Sequence, residues 1–234
     1  MLVLPLKGAA GSTVEIKAGK IIAVGLNYRD HVKESKVFSD SGQDAPSEPV
    51  LFAKTPNTLI GPGEAIVIPS HIKAYNFKNE RVDPECELAI IIGKRGKRIT
   101  EAAALDHVLG FTCFNDVSQR NIQKQDPSGW FRGKSFDTFG PIGPAVVPLK
   151  ELGNPQALNI NCKINGVVKQ SANTADMIFS IPFLISFISH QFTLEEGDII
   201  ATGTPAGISP IVPGDIVEVE IEGIGVLKNP VVAE

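Results

Sequence analysis

The sequence has few cysteines, no cluster of basic residues and no long hydrophobic run. Its 3 cysteines, Cys86, Cys113 and Cys162, are scattered through apolar segments with strand-like character. In such segments a reduced thiol behaves as a small hydrophobic side chain. This pattern predicts reduced thiols and a cytoplasmic location.

Strongly anionic partners are not expected. The formal net charge is −4, and there is no basic run to neutralise a phosphate backbone or an anionic membrane. No apolar run is long enough to cross a bilayer. The first residues, MLVLPLKGAAGS, place their apolar run before the first cation and interrupt it with Pro5, unlike a signal peptide. Any positively charged binding site is therefore expected to be local.

Glycine and proline are abundant, at 22 and 17 residues, and short β-branched runs lie between them. This pattern predicts many strands joined by tight turns, with few helices. A chain of 234 residues that is 43% apolar can form one large domain. Turn motifs precede predicted strands at residues 61–64, 196–198 and 213–215.

Two strands can be predicted with their orientation. The continuous apolar run from Leu88 to Ile92 predicts a strand buried on both faces. The run from Ile216 to Ile221 alternates apolar and acidic residues, which predicts a half-exposed strand with Glu218 and Glu220 facing solvent.

Helices are predicted over Thr100 to Val108, beginning with a Thr cap and ending at Gly110, and over Ile181 to Gln191, capped by Ser180. Residues 35–49 are polar and rich in Ser, Asp and Pro. They predict a long surface loop that is a candidate for a mobile lid.

Glu85 and Glu87 lie two residues apart in VDPECELAIIIG. On a strand this spacing directs both carboxylates to one face and Cys86 to the other, and the two charges repel unless a cation lies between them. Asp116 follows a second apolar strand candidate, Gly110 to Phe114. Three carboxylates suit Mg²⁺ or Mn²⁺, although an isolated Glu-x-Glu pair is more often a solvent-exposed strand start.

Other polar residues are candidates for a binding site. Lys134 follows Gly133 and precedes a turn rich in Pro and Gly that can approach a ligand closely, but an exposed surface lysine is the alternative. Arg120 and Gln123 are three residues apart, so on a turn of helix they share a face that suits a carboxylate.

His31 and Glu34 are also three residues apart, which on a short helix lets the carboxylate orient the imidazole as a general base. The alternative is an ion pair on the surface. The segment ATGTPAG, residues 201–207, ends a predicted strand with backbone N–H groups and hydroxyls suited to an oxyanion.

In chain order these segments resemble the fumarylacetoacetate hydrolase family. The matching blocks are KIIAVGLNYRDHVKE, PVLFAKTPNTLIGPG, VDPECELAIIIGKRG, GFTCFNDVSQRNIQ, GKSFDTFGPIGP, NTADMIFSIP, EEGDIIATGTPAG and VEIEGIGVLKNPVV. They cover nearly the whole chain from Lys20 onward. Residues 1–19 are therefore interpreted as a short N-terminal strand region, and residues 20–234 as the catalytic domain.

The resemblance implies a mainly β (α+β) fold, a mixed β-roll or sandwich, with a homodimeric assembly and one Mg²⁺ or Mn²⁺ per subunit. The implied metal ligands are Glu85, Glu87 and Asp116. The implied catalytic residues are His31, Glu34 and Lys134. The implied substrate-binding residues are Arg120, Gln123, Gly203 and Thr204.

The implied activity is cleavage of a carbon–carbon bond in a small keto acid, by acylpyruvate hydrolysis or oxaloacetate-type decarboxylation. A metal-stabilised enolate also permits isomerisation or tautomerisation of an unsaturated dioate. The pair of His31 and Glu34 favours the first two reactions slightly. A noncatalytic metal-binding assembly protein is a remote alternative.

The chain departs from many relatives at two places. It has Gln119 and Asn121 on either side of Arg120, where relatives carry Ser-Ala-Arg-Asp, and the stretch from Ser70 to Arg81 is longer than their compact link. Both differences bear on substrate choice or on the subunit contact, and neither changes a metal ligand.

Overall fold

The computed structural model describes residues 2–35, 45–127 and 129–234. Its strands are β1 (Leu2–Pro5), β2 (Thr13–Ile16), β3 (Ile21–Gly25), β4 (Val50–Lys54), β5 (Leu59–Ile60), β6 (Ile66–Ile68), β7 (Val82–Asp83), β8 (Cys86–Ile92), β9 (Val108–Asn115), β10 (Ser118–Gln119), β11 (Gly140–Val147), β12 (Asn159–Ile164), β13 (Val167–Asn173), β14 (Ile199–Ala201), β15 (Ile216–Ile221) and β16 (Gly225–Ala233). Its α-helices are α1 (Arg29–Ser35), α2 (Arg120–Gln125), α3 (Phe131–Lys134), α4 (Leu149–Leu152) and α5 (Ile181–Gln191). Short 3-10 helices cover Pro56–Thr58, Ser70–Tyr75, Glu101–His107 and Thr174–Asp176. The predicted lid falls largely on residues 36–44, which lie outside the described residues.

Two sheets pack face to face and enclose the main core. The seven-stranded sheet has the order β4-β3-β14-β8-β9-β11-β5, and the five-stranded sheet has the order β13-β12-β15-β16-β6. Strands β12, β15 and β16 lie against the central strands β8 and β9. The prediction of a mainly β, sandwich-like fold with few helices is confirmed.

Strand β8 is buried on both faces, as its apolar run predicts. Leu88 and Ile90 point into the main core between the sheets. Ala89 and Ile91 point into a second hydrophobic cluster on the opposite face. Because side chains alternate along a strand, Glu87 lies on the side of the second cluster and Cys86 on the side of the main core.

A hairpin at the N-terminus covers the second cluster. Strands β1 and β2 pair antiparallel, with Leu2 opposite Ile16. Leu4 and Ile16 are buried against residues of β3, β8 and β14. The interpretation of residues 1–19 as a strand region thus agrees with two observed strands, while the division of the chain after residue 19 stays a prediction.

The turn predictions agree with the structure. The motif at residues 61–64 precedes β6, the motif at 196–198 leads into β14, and the motif at 213–215 leads into β15. Along β15, Val217, Val219 and Ile221 are buried, whereas Glu218 and Glu220 are half-exposed and the first residue, Ile216, is exposed. Local turn chemistry and alternation therefore suffice to place these strands.

Helix α5 has the predicted bounds. The Ser180 hydroxyl accepts a hydrogen bond from the Phe183 N–H at 3.3 Å, and a proline occupies the first turn. Its apolar side is buried in the main core, so the cap and the apolar periodicity agree.

The helix predicted over Thr100 to Val108 is partly wrong. The structure has a 3-10 helix over Glu101–His107, and Thr100 makes no side-chain cap. Val108 is instead the first residue of β9, where it pairs with Ile92. Val108 has extended backbone angles, and its N–H donates to the Leu105 carbonyl as the last hydrogen bond of the 3-10 helix. The helix therefore ends at His107, where the chain enters β9.

All 3 cysteines are buried as free thiols, as predicted. Within the described ranges, no helix has both the length and the apolar character needed to span a membrane.

Candidate active site

Three carboxylates converge at one end of the seven-stranded sheet. Glu85 and Glu87 stand at the start of β8, and Asp116 follows the last residue of β9. These strands pair antiparallel with Cys86 opposite Asn115, so the start of one lies beside the end of the other. One oxygen from each carboxylate lies within 4.8 Å of the others, and all three residues are buried. Strand pairing therefore brings the predicted ligands together.

Backbone hydrogen bonds hold this carboxylate group in place. The Asp116 N–H donates to the Glu85 carbonyl at 2.9 Å, and the Glu85 N–H donates to Asn115 Oδ1 at 3.0 Å. The Gly203 N–H donates to Glu87 Oε2 at 2.9 Å. The carboxylates thus depend on the sheet for their arrangement.

Two buried lysines lie against the carboxylates. Lys134 Nζ is 2.6 Å from Glu85 Oε2 and 2.6 Å from Asp116 Oδ2. Lys54 Nζ is 2.8 Å from Asp116 Oδ1 and donates to the backbone carbonyls of Val117 and Lys134. The interpretation of Lys134 as an exposed surface lysine is therefore wrong.

The two glutamates of the pair have opposite pKa shifts. Burial raises the pKa of Glu85, but the charges of Arg120 and Lys134 outweigh it and bring the pKa well below its usual range. For Glu87, burial raises the pKa, and the neighbouring charges of Asp116 and Glu85 raise it further. Among the described residues, Glu87 has no ion-pair partner, unlike the other two carboxylates.

The pKa values of the two lysines also shift in opposite directions. Burial lowers the pKa of Lys54, against the opposing effect of Asp116. Burial also acts to lower the pKa of Lys134, but the charges of Asp116 and Glu85 outweigh it and raise the pKa. The ammonium group of Lys134 is therefore held in its charged form.

This donor set fits a hard divalent cation. Mg²⁺ and Mn²⁺ prefer oxygen ligands such as carboxylates. A buried carboxylate without a cationic partner, such as Glu87, is energetically costly. A cation among the three carboxylates would offset the repulsion that raises the pKa of Glu87.

An arginine pair lies beside the carboxylates. On α2, Arg120 places Nε 2.7 Å from Asp83 Oδ2 and Nη2 2.5 Å from Glu85 Oε1, and its Nη1 donates to Gln123 Oε1 at 3.1 Å. Arg81 Nε lies 2.8 Å from the other oxygen of Asp83. The predicted proximity of Arg120 and Gln123 is present, and a buried aspartate joins the two arginines.

His31 and Glu34 form the predicted pair on α1. His31 Nδ1 lies 3.1 Å from Glu34 Oε2, and the Gly207 N–H donates to the same carboxylate at 3.2 Å. His31 is 7% exposed, so it is not a surface ion pair. A neutral imidazole that donates through Nδ1 keeps a lone pair at Nε2 for a proton.

The loop after β14 lies against the start of β8. Gly203 has φ +98°, and a Cβ there would lie 2.8 Å from Asn27 Cβ, so the position requires glycine. Thr204 Oγ1 donates to the Cys86 carbonyl at 3.0 Å and accepts from Gln170 Nε2 at 2.7 Å. The hydroxyl proton of Thr204 is thus engaged within the protein.

Most of these residues line one cavity of about 430 Å³. The predicted site residues on its wall are His31, Glu34, Glu85, Glu87, Arg120, Gln123, Lys134 and Thr204. Asp116 and Gly203 lie behind the wall, in contact with Lys134 and Glu87. An aromatic wall completes the cavity: Phe52 and Trp130 pack edge to face with ring centres 5.2 Å apart.

Four residues were missed from the sequence: Lys54, Arg81, Asp83 and Gln170. Lys54 ends the apolar run of β4, where a lysine is unusual in a buried position. Asp83 lies two residues before Glu85, as Glu85 lies two residues before Glu87. The sequence therefore could have predicted that Asp83 points to the same face as the two glutamates. Gln170 carries no such signal, because its contacts with Cys86 and Thr204 depend on packing between the sheets.

Comparisons with known proteins point to one family. A model of the fumarylacetoacetate (FAA) hydrolase C-terminal family matches residues 20–232. The mitochondrial oxaloacetate tautomerase of Bos taurus is 42% identical over 221 residues, which are 91% of this chain and 66% of that protein.

Solved structures agree in fold. A 2-hydroxyhepta-2,4-diene-1,7-dioate isomerase from Mycobacterium marinum is 38% identical with a TM-score of 0.81, covering 96% of this chain and 82% of that one. A maleylpyruvate hydrolase from Sphingobium, in complex with manganese(II) and pyruvate, is 32% identical with a TM-score of 0.76, covering 92% of this chain and 71% of that one.

Proposed function

The chain belongs to the fumarylacetoacetate hydrolase family, and on that basis we propose that it is a metal-dependent enzyme acting on small 2-oxo or 1,3-diketo acids. Its reaction is cleavage of a carbon–carbon bond, by acylpyruvate hydrolysis or by oxaloacetate-type decarboxylation. One Mg²⁺ or Mn²⁺ per subunit is held by Glu85, Glu87 and Asp116. The manganese in the related maleylpyruvate hydrolase supports the choice of metal.

One observation carries the proposal: the three buried carboxylates meet a charged lysine at a cavity that also contains a buried histidine–carboxylate pair. A site that only bound a metal would need neither Lys134 nor the pair of His31 and Glu34. The combination supports an enzyme over a noncatalytic metal-binding protein.

A bound divalent cation would supply Lewis-acid polarisation of the substrate's keto oxygen. Lys134 holds a positive charge beside the carboxylates and stabilises negative charge that develops on a substrate oxygen. Gln123 and Arg120 orient the substrate carboxylate. The aromatic wall of Phe52 and Trp130 keeps water from one side of the cavity.

His31 moves the proton. Glu34 holds Nδ1, so Nε2 is free to accept a proton from a water that attacks the acyl carbon. The bond from the acyl carbon to the pyruvate unit then breaks, which gives a carboxylic acid and pyruvate enolate, and the enolate carbon takes up the proton held by His31. The same nitrogen can take a proton from the substrate carbon next to the keto group. Decarboxylation of an oxaloacetate-like acid requires neither of these transfers: the carbon–carbon bond to the carboxylate breaks, CO₂ leaves, and the resulting enolate afterwards takes up a proton from solvent.

Tautomerisation or isomerisation of an unsaturated 2-oxo or 2-hydroxy dioate is the second candidate. It needs a base and a positive charge but no attacking water, and His31 and Lys134 supply both at one cavity. The relatives named as an oxaloacetate tautomerase and a dioate isomerase support it.

A substrate panel tests the reaction. The chain is assayed with acylpyruvate, oxaloacetate, fumarylacetoacetate and an unsaturated dioate, with Mg²⁺ or Mn²⁺ and with EDTA, while enol absorbance and released CO₂ are followed. Carbon–carbon cleavage that EDTA abolishes supports the proposal, and enol conversion without cleavage supports the second candidate. Metal binding without turnover of any of these would support the noncatalytic assembly protein instead.

The metal site predicts a specific effect of Glu87→Gln. Wild-type protein should gain about 2.7 kcal/mol in free energy of unfolding when the metal is at 100 times its dissociation constant, and the variant should lose most of this gain. Denaturant titration with and without Mn²⁺ measures it. The exposed Glu196 provides the control Glu196→Gln, which should keep the gain, and an equal gain in Glu87→Gln would contradict the assignment.

The proposed role of His31 as general base predicts the effect of His31→Gln. General-base catalysis contributes about 10²- to 10⁴-fold, so kcat for hydrolysis or tautomerisation should fall within that range while metal binding is kept. The exposed His190 provides the control His190→Gln. Unchanged turnover of acylpyruvate by His31→Gln at saturating metal would remove His31 from the mechanism.

The assembly and location belong to the same proposal: a homodimer in the cytoplasm that binds neither nucleic acid nor membrane. Membership of the family supports the dimer. Light scattering after gel filtration should give twice the mass of the 234-residue chain, and a monomer at micromolar concentration would contradict it.

A further inference from the structure

The two arginines at the cavity differ in what they leave available for a ligand. All three guanidinium nitrogens of Arg120 donate to protein acceptors. Arg81 donates through Nε to Asp83 and through Nη2 to the Ile208 carbonyl. Its Nη1 has no partner in the described part of the chain, and its side chain is 43% exposed. A guanidinium has five N–H donors, so within the described residues Arg120 keeps two of them in a side chain that is only 12% exposed, whereas Arg81 keeps three. Arg81 is therefore the more available of the two arginines for a further anion.

We propose that Arg81 determines specificity by binding a second carboxylate of the substrate, remote from the 2-oxo acid group. This inference rests on the proposed function, which places the 2-oxo acid group at the carboxylates and Lys134. Arg81 lines the same cavity as Lys134, so one small molecule can contact both. A guanidinium binds a carboxylate strongly because the hydrogen bonds are charge-assisted.

The buried carboxylate of Asp83 holds Arg81 in position but does not fully neutralise its positive charge. Asp83 is fully buried and accepts from both Arg81 and Arg120, so one negative charge serves two guanidinium groups. The Arg81 N–H donates to Asn121 Oδ1 at 2.9 Å, and its carbonyl accepts from the Arg120 N–H at 2.9 Å. Arg81 is therefore anchored at the backbone and at Nε, so a ligand in the cavity that it lines meets a side chain that is already ordered.

The formal charge of the cavity agrees with a dianionic ligand. The basic side chains on its wall and directly behind it are Lys54, Arg81, Arg120, Lys124 and Lys134, and the acidic ones are Glu34, Asp83, Glu85, Glu87 and Asp116. Five charges of each sign cancel, so a divalent cation leaves an excess of two positive charges. A dicarboxylate neutralises this excess, whereas a monocarboxylate leaves one positive charge in a partly desolvated site.

A purely structural role for Arg81, as counter-ion of Asp83, makes a different prediction. Loss of a structural contact weakens every ligand of the cavity to a similar degree. Loss of a contact with a second carboxylate weakens only ligands that carry one. The test therefore compares two ligands that differ only in that group.

The experiment measures binding of 2-oxoglutarate and of 2-oxopentanoate, which has the same chain length but no second carboxylate, to the Mg²⁺-loaded protein. Trp130 is the only tryptophan of the sequence and lines the cavity, so its fluorescence reports binding without turnover. Wild-type protein should bind 2-oxoglutarate more tightly. Arg81→Gln should weaken 2-oxoglutarate about 10- to 100-fold, the range of a charged hydrogen bond, and change 2-oxopentanoate by less than about twofold.

Two further variants complete the comparison. Arg95→Gln removes the same charge at an exposed arginine that pairs with Glu195 outside the cavity, and should leave both affinities unchanged. Arg81→Lys keeps the charge but not the paired N–H groups, and should give an intermediate, selective loss. If Arg81→Gln does not fold by circular dichroism, the selectivity of Arg81→Lys decides.

The outcomes separate this inference from the proposed function. Equal weakening of both ligands by the Arg81 variants, or no weakening of either, overturns the inference. Equal affinity of wild-type protein for the two ligands also overturns it, while the proposed function stands. If wild-type protein binds neither ligand with Mg²⁺ present, the proposed function fails and the inference fails with it.

Discussion

Eight charged side chains form a compact network at the floor of the cavity. The acids are Asp83, Glu85, Glu87 and Asp116, and the bases are Lys54, Arg81, Arg120 and Lys134. Desolvation of each charge costs several kcal/mol unless a partner compensates it. Glu87 is the one acid of this network without an ion pair among the described residues. The charge of Glu87, one of the three proposed metal ligands, is therefore the one that the described part of the protein leaves uncompensated.

Lys54 should stabilise the fold through Asp116. Lys54→Met removes a fully buried ammonium group 2.8 Å from Asp116 Oδ1 and leaves that carboxylate partly uncompensated. Breaking a buried pair typically costs about 3–5 kcal/mol, so the free energy of unfolding in EDTA should fall by that amount. Urea denaturation measures the change.

The exposed Lys17, which pairs with Glu15 on the surface, provides the matched control Lys17→Met, with an expected loss below about 1 kcal/mol. Equal stability of the two variants would show that Asp116 is compensated without Lys54. Added Mg²⁺ should reduce the loss in Lys54→Met, because a cation at the proposed site would compensate the same carboxylate.

At the scale of elements, strand ends and short helices bring the site together. The ladder between β8 and β9 joins the carboxylates, and α3, which begins one residue after Trp130, carries Lys134. Gly25, the last residue of β3, lies against the Trp130 ring, and a Cβ at this position would overlap that ring. The close approach of β3 to Trp130 therefore positions the start of α3.

Gly25→Ala should displace Trp130. Forcing an extra carbon into a packed contact costs about 1–3 kcal/mol, and the ring should move toward solvent with a red shift in tryptophan emission. Fluorescence of the metal-free protein measures the shift. Gly19→Ala is the control, since a Cβ there meets only Asp198 Oδ1 at 3.3 Å. Emission in Gly25→Ala that is identical to wild type would contradict the packing described.

At the scale of the whole molecule, the two packed sheets enclose the thiols. Cys86, Cys113 and Cys162 lie in the main core between the sheets. Burial raises the pKa of Cys113 and of Cys162 to about 12, and the pKa of Cys86 well above its usual range. Because thiolate is the reactive form, these residues are shielded both by access and by protonation.

Native protein at pH 8 should therefore react slowly with a disulfide reagent. All 3 thiols should react within minutes in denaturant, while the native rate should be lower by orders of magnitude and set by opening of the core. Titration of released chromophore measures both. Rapid reaction of one thiol in the native protein would show that the sandwich opens locally at that cysteine.

The sequence alone determined those features that depend on neighbours along the chain. Strands β8 and β15, helix α5 with its Ser180 cap and the shared direction of Glu85 and Glu87 follow from alternation, capping and turn chemistry, which act over a few residues. Resemblance to a family extended this to the residues of the candidate site, and the structure places them around one cavity or directly behind it.

Only the tertiary structure decided which residues from distant parts of the chain contact one another in the buried, charged site. Lys54, Asp83 and Gln170 reach the site from strands far apart in the chain. Val108, predicted to be helical, is instead extended and pairs with Ile92 of β8. The difference between a largely buried Arg120 and a more exposed Arg81 with more free N–H donors also exists only in three dimensions. Burial and pairing between distant residues decide these features, because they determine the desolvation of each charge and its partners. A local pattern of residues carries no information on either.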